Sequence, residues 1–442
     1  MSHYKPYPVY KDSGVEWLGR VPEHWGLSQL KHLVSGIESG TSVNATDTPA
    51  AQGEYGVLKT SCVYSGKFDP AENKAILPEE YDRATCPLVV GSLIVSRMNT
   101  PDLVGAAGLV DIAPEGVFLP DRLWQVSFLC ANSSFVYFWS QSASYRAQVK
   151  MVCTGTSSSM QNLSQDQFKD FVLGVPGLEE QQVIAAHLER ETARIDALME
   201  KKTRFIELLR EKRQALITHA VTKGLDLNVK MKDSGVEWLG GVPEHWDVLS
   251  FQRCVFIAEG QVDPEKSPYL EMLLLAPNHI ESGSGRLLYT ETAEEQNAES
   301  GKYLCQKGDV VYSKIRPALR KVCMAPEVGL CSADMYPLRG HSGMSNQFLF
   351  WFLLSEPFSA FAVLEADRVA MPKINRESLN SVQLPRPPFA EQVLIAARLE
   401  LETARLDNLR SKTERSIELL KERRSALITA AVTGQIDLRE AV

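Results

Sequence analysis

Apolar residues recur at heptad-like intervals from Glu179 to about Val221, at Leu188, Ile195, Leu198, Phe205, Leu209 and Leu216, on a background dense in Glu, Lys and Arg. This pattern predicts a long amphipathic helix with a coiled-coil seam. It returns over 390–432 with Leu399, Leu406, Leu409, Leu420 and Leu427. Neither stretch meets Pro or Gly before Gly224 and Gly434, so nothing in either interrupts the helix. At 1.5 Å per residue, about 40 residues make a rod of roughly 60 Å, and two such rods can pack antiparallel. The charged run from Arg210 to Arg213 reads as a solvated, ion-paired helix face.

Between the helical stretches the pattern changes. Residues 26–177 and 247–388 mix short apolar runs (GSLIVS, GDVVYS, YLEMLLLA) with Gly, Pro and Asn punctuation and with helical stretches such as SSFVYFWSQSASYRAQV and SNQFLFWFLLSEPFSAFAVL. Each reads as a compact mixed α/β domain. The aromatic clusters at Phe135 to Trp139 and Phe348 to Phe352 have helical spacing, which points to core rather than to base stacking.

The chain is also written twice. Lys11 to Trp25 (KDSGVEWLGRVPEHW) recurs as Lys232 to Trp246 with one difference, Arg20 against Gly241, at an offset of 221. Glu180 to Leu227 matches Glu391 to Leu438 at an offset of 211, with 30 of 48 positions identical. MQNLSQDQF from Met160 aligns with MPKINRESL from Met371 at the same offset, whereas GSLIVSRMNT from Gly91 aligns with GDVVYSKIRP from Gly308 at 217. Fixed ends therefore enclose two divergent middles, as expected of one scaffold presenting two different recognition surfaces. An even repeat of this kind predicts a pseudo-two-fold axis with one globular domain at each end of the rod pair. It also predicts that YKPYPVYKDSG at the N-terminus continues the exit of the second helix, which places the two termini close together.

Composition narrows the function. The net charge of −8 runs against a simple phosphate-binding surface, unless positive charge is gathered on one face or a partner supplies it. Eight cysteines, at 62, 86, 130, 153, 254, 305, 323 and 331, form no C-x-x-C pair, so neither a zinc ribbon nor a redox motif is expected. Reduced, mostly buried thiols are. No apolar run approaches the length of a membrane span, and no secretory signal is apparent, which predicts a cytoplasmic protein. His24 and His245 lie in the repeated segment without Cys or carboxylate at ligand spacing, so they are read as loop anchors rather than metal ligands.

Basic and amide side chains near strand ends are the candidates for contact with bases and phosphates. In the first middle these are Lys59, Arg97, Asn99, Arg122 and the polar loop from Thr154 to Gln161, with Thr156, Ser157 and Gln161 foremost. In the second, Lys314, Arg316, Arg320 and Lys321 fall within nine residues, and Arg368, Lys373 and Arg376 occupy the equivalent of the polar loop. No catalytic residue or metal ligand is expected. There is no Asn or Asp before Pro-Pro-aromatic, as an adenine aminomethyltransferase requires; Arg386-Pro-Pro-Phe389 comes nearest and lacks the acceptor. No phosphate-binding loop is present, and the Glu200 to Lys202 pair sits mid-helix without a partner carboxylate. A stand-alone methyltransferase or nuclease is thereby disfavoured, and a coiled-coil adaptor without DNA readout remains the alternative.

KDSGVEWLGRVPEHW, the LEEQ and FAEQ helix openings, ETARIDAL with ETARLDNL, and ALITHAVT with ALITAAVT together resemble the specificity subunits of type I restriction-modification systems, over the whole chain. The resemblance implies an α/β fold: two mixed α/β target recognition domains separated by an antiparallel pair of long coiled-coil helices, with pseudo-two-fold symmetry. It implies a leading repeated segment at 1–25, recognition domains at 26–177 and 247–388, a spacer helix at 178–222, a linker with the second repeated segment at 223–246, and a second spacer helix and tail at 389–442. The implied role is non-catalytic: reading a bipartite, gapped site in double-stranded DNA. The implied partners are two modification subunits, which methylate adenine, and restriction subunits, which cleave. S-adenosylmethionine, ATP and Mg belong to those partners, and no cofactor belongs to this chain. Recognition domains vary so widely within the family that the resemblance transfers no base-contacting residue.

Overall fold

The computed structural model describes residues 4–157, 160–366 and 372–439, with 154–157 described as backbone alone. The chain divides into two compact units, Met1–Lys202 with Arg415–Val442 and Thr203–Glu414. Each unit therefore owns one globular part, the first stretch of one long helix and the last stretch of the other.

In the first unit, β1 (Gly26–Gln29), β2 (Val34–Ser39), β3 (Leu93–Ser96), β4 (Met98–Asn99), β5 (Ala107–Leu109) and β6 (Leu123–Phe128) precede α1 (Ser133–Ser140) and α2 (Ala143–Val152). Then β7 (Thr154–Ser157), β8 (Met160–Asn162) and β9 (Val172–Val175) lead into α3 (Leu178–Lys223). The main sheet has the order β2-β6-β3-β5, antiparallel throughout. Every residue of the LIVS strand β3 is buried, because alternate side chains point to opposite faces and both faces are covered. Leu93 and Val95 join the main core with Trp124, Phe135 and Trp139; Ile94 joins a smaller one with Leu58, Val110 and Val117.

The second unit repeats this plan. It runs β10 (Asp247–Ser250), β11 (Val255–Ile257), β12 (Lys302–Cys305), β13 (Val310–Ser313), β14 (Val322–Met324), β15 (Met335–Gly340), α4 (Asn346–Leu353), α5 (Glu356–Ala366), α6 (Arg376–Ser381), β16 (Gln383–Arg386) and α7 (Phe389–Val432). Its main sheet, β11-β15-β13-β14, has the same order. Val310 and Tyr312 face the main core with Phe348 and Phe352. Val311 faces a second cluster containing Cys305, Cys323 and Cys331, thiols whose burial raises their pKa, that of Cys323 to about 12. The aromatic runs are core in both units. Among the described residues no single helix is long and apolar enough to cross a membrane.

The long helices enter each core from opposite ends. Unit 1 takes Ile184 and Leu188 from the start of α3 and Leu427, Ile428 and Ala431 from the end of α7. Unit 2 takes Ile395 and Leu399 from the start of α7 and Ile217, Ala220 and Val221 from the end of α3. Within each unit the two helices are thus antiparallel, with Arg424 on Asp196 at 3.0 Å in one and Arg213 on Asp407 at 3.5 Å in the other.

The seam differs from the one the apolar pattern predicts. Leu198, Phe205 and Leu409 are 42%, 44% and 47% exposed. The covered positions on α3 run 188, 192, 195, 199, 202, 206, 209 and 213, an alternation of four and three that places Thr192, Met199, Lys202 and Arg213 on the inner face. Polar residues at seam positions mislead an apolar count, and exposed leucines next to them take their place in it. Arg213 is also no solvated charge. It is buried, and its guanidinium donates to the carbonyls of Gly283 at 2.9 Å and Ser284 at 2.8 Å. Burial draws its pKa down, against the opposing pull of Asp407.

One repeated joint fixes each globular part to the first turn of its long helix. In unit 1, Glu180 accepts from the indole of Trp25 at 3.2 Å and pairs with His24 at 2.9 Å. The buried Gln181 accepts from the backbone N–H of Asn132 and donates to the carbonyl of Pro176. In unit 2, Glu391 meets Trp246 at 3.1 Å and His245 at 2.8 Å, while Gln392 accepts from Ser345 N–H and donates to Gly343 and Pro387. Asn132 and Ser345 in turn cap α1 and α4. The histidines are loop anchors here. At the far end of α7, Gly434 turns the chain at φ +72°, and Asp437 N–H then donates to Lys5 carbonyl at 2.8 Å, bringing the two ends of the described chain side by side.

Candidate nucleic-acid interface

In each unit the strand leaving the centre of the main sheet is crossed by the segment that leads to the last short helix of the globular part. In unit 1, Met98 pairs with Asn162 and Asn99 with Gln161, and Leu163 N–H donates to Arg97 carbonyl at 2.8 Å. In unit 2, Ile315 bridges Lys373, Arg316 N–H donates to Pro372 carbonyl at 3.0 Å, and Ile374 N–H donates to Lys314 carbonyl at 2.9 Å. The offsets of 217 and 211 meet in this crossing, so Arg97 corresponds to Lys314, Asn99 to Arg316 and Asn162 to Lys373. A third strand completes it: Arg97 N–H donates to Arg122 carbonyl, and Lys314 N–H to Asp334 carbonyl.

The same backbone edge carries different side chains. In unit 1, Asn99 is buried; its amide donates to the hydroxyls of Tyr64 at 2.8 Å and Ser96 at 3.2 Å, and its carbonyl oxygen accepts from Thr100 N–H. Arg97 is half-buried with an Nε that has no hydrogen-bond partner among the described residues. Arg122 and Asn162 are exposed, and Gln161 half-buried beside them. Thr156 and Ser157 lie on β7, paired with β8, their side chains outside the described residues. Lys59 faces Glu72, its ammonium 3.7 Å from that carboxylate.

In unit 2, Arg316 and Lys373 are exposed, while the ammonium of Lys314 lies 5.2 Å from the centre of the Tyr336 ring. The guanidinium of Arg376 stacks over Tyr336 and Tyr303 at 5.0 and 5.6 Å and donates to the carbonyls of Ile257 and Ala258. Arg320 is held by Ser359 at 2.8 Å and Glu356 at 2.6 Å, and Lys321 by Pro277 carbonyl at 2.5 Å. Arg368 lies outside the described residues. The sequence cluster therefore splits: Arg316, Lys373 and Lys314 gather at the edge, and Arg320, Lys321 and Arg376 hold the unit together. Asn162 and the supporting rings of Tyr64, Tyr303 and Tyr336 were missed by the sequence reading; the match of Asn162 to Lys373 at the 211 offset is the signal that finds the first.

Residues 22–208 match the family described as the type I restriction modification DNA specificity domain. The type I restriction enzyme EcoDI specificity subunit of Escherichia coli is 27% identical over 331 residues, covering 71% of this chain and 72% of that protein. The MjaVIII specificity subunit of Methanocaldococcus jannaschii is 22% identical over 436 residues, 95% of each. Among solved structures, a chain from "Structural basis underlying complex assembly and conformational transition of the type I R-M system" aligns at a TM-score of 0.71 and 15% identity, over 94% of this chain and 99% of that one. The HsdS subunit from Thermoanaerobacter tengcongensis aligns at 0.54 and 17%, over 94% and 98%; at these identities the likeness is one of fold. The domain match lies over the first globular part and the start of the first long helix, and the relatives extend the likeness along the chain: residues 22–208 carry a type I restriction modification DNA specificity domain, and the chain as a whole is similar to the specificity subunits of type I restriction-modification systems.

Proposed function

We propose that this chain selects the DNA sequence on which a type I restriction-modification complex acts, reading a two-part, gapped site with one half assigned to each unit. The observation that carries this reading is the duplicated crossing: one backbone edge, built twice, presents Arg97, Arg122, Gln161 and Asn162 in one unit and Lys314, Arg316 and Lys373 in the other. A constant frame with varied polar side chains suits two different half-sites. Residues 26–177 and 247–388 are the recognition domains, and the long helices within 178–222 and 389–442, the latter with its tail, set the gap, since rods of roughly 60 Å can hold two domains at a separation of the order of one duplex turn, roughly 34 Å. Two modification subunits dock on these helices and methylate adenine, with S-adenosylmethionine, and restriction subunits with ATP and Mg, all on the partners. Those subunits share the phosphates, which reconciles DNA binding with a net charge of −8.

The test is to express the chain with its modification subunit in a methylation-free host and map N6-methyladenine. A single gapped motif that disappears when this chain is omitted, and of which only one half changes when residues 26–177 are exchanged, is the expected result. A soluble complex with an active modification subunit and no methylated motif would return the chain to the adaptor class.

A further inference from the structure

We propose that Arg316 reads a guanine in the half-site assigned to unit 2, and that the corresponding residue of unit 1, Asn99, makes no such contact. The inference rests on the function proposed above and concerns one side chain at its edge. Arg316 adopts a left-handed backbone, φ +47° and ψ +59°, which a residue with a Cβ enters at a cost and which the proline that follows it further disfavours. The conformation is held by its N–H on Pro372 carbonyl and by the buried Pro317. Strain of this kind, fixed by its surroundings, marks positions where geometry is being used. The result is an exposed guanidinium with no ion-pair or hydrogen-bond partner among the described residues, on a rigid turn.

The neighbours sort by elimination. Arg320 shares the left-handed conformation, φ +48°, but its guanidinium is taken by Ser359 and Glu356; Arg376 is taken by two carbonyls and two tyrosines. Lys314 rests on Tyr336. Lys373, directly across the pairing from Ile315, is a flexible point charge suited to phosphate. Among the described cations of this edge in unit 2, only Arg316 combines exposure, a fixed backbone and the planar fork that pairs with O6 and N7 of guanine in the major groove. In unit 1 the corresponding Asn99 is buried and bonded to Tyr64 and Ser96, so it cannot reach a base.

The experiment is selection of bound duplexes from a randomised, gapped library by the full chain in complex with its modification subunit, comparing wild type, Arg316→Gly and Arg316→Lys. Wild type should recover a two-part motif, and both variants should lose about tenfold or more of the preference for guanine at one position in one half only. Thermal unfolding of Arg316→Gly should occur at the same temperature or higher, because glycine occupies this backbone region freely. Unchanged base preferences would overturn the inference while leaving the function standing. So would a uniform loss of affinity with a shallower salt dependence, which marks a phosphate contact, or a lowered unfolding temperature, which marks a structural side chain. Failure of the wild type to recover any motif would instead strike the function itself.

Discussion

Asn99 and Arg316 occupy the same place on the same edge, yet one is buried in a hydrogen-bond network and the other is exposed on a strained turn. At the head of each long helix, by contrast, Glu180 with Glu391 and Gln181 with Gln392 make matching contacts at matching distances. The two units are therefore alike where a globular part joins its helix and unlike where it faces outward. Equivalent position does not mean equivalent role, and burial decides which applies.

The largest test of the likeness is Trp25→Ala against Trp246→Ala. Both indoles are fully buried and both edge onto an aromatic of the first core helix, Phe135 at 6.4 Å and Phe348 at 6.3 Å. Each substitution should destabilise its own unit by about 3–5 kcal/mol, read by calorimetry; clearly unequal losses would break the equivalence of the joints. Gly434→Ala and Gly224→Ala sharpen it. Both positions have left-handed backbones, φ +72° and +79°. A Cβ at 434 would lie 2.3 Å from Pro22, whereas at 224 the nearest atoms are at 3.3 Å. Strain alone should cost about 1 kcal/mol at 224, with roughly 1–3 kcal/mol more from overpacking at 434; equal urea midpoints would refute the difference.

At the edge, Asn99→Ala should cost about 1–2 kcal/mol by leaving the buried Ser96 hydroxyl without its donor, while Arg316→Ala should stay within about 0.5 kcal/mol of wild type. The reverse order in denaturant titration would invert the comparison. The smallest effect concerns Glu281, which meets Arg410 at 3.1 Å and Arg286 at 3.2 Å; at the position of Arg410, unit 1 has Met199. Burial raises the pKa of Glu281, but bonds from Ser284, Arg410 and Arg286 outweigh it and leave it below the usual carboxylate value. Its stabilisation is thus complete above the ordinary carboxylate range and lost as pH falls through the lowered value. Glu281→Gln should flatten the acid limb of the stability profile slightly, and an unaltered limb would show that the pair is solvent-screened.

Much of the frame was legible in advance, because repetition exposes it: a string such as KDSGVEWLG-VPEHW followed by a helix opening in Glu-Gln reports a joint even before its bonds are seen. The helices were legible for the absence of Pro and Gly. Their seam was not, since Thr192, Lys202 and Arg213 take inner positions while Leu198 and Phe205 stand outside. Local basicity at 314–321 located the edge in unit 2, but charge along the chain cannot say which cations find partners in the fold: Arg320 finds Ser359 and Glu356, Arg376 finds two carbonyls and two tyrosines, and Arg316 finds none among the described residues. In unit 1 the polar character of Asn99 suggested contact with a base, whereas the fold turns it inward to Tyr64 and Ser96.

The left-handed turn at Arg316 also bears on how this position drifts. A first-base change converts any arginine codon into a glycine codon, so Arg to Gly is among the simplest mutations open to it, and here that mutation relieves the backbone rather than harming it. Selection for a stable fold gives the arginine no protection. Where nothing but the fold selects at this position, glycine should accumulate there ahead of the buried residues around it.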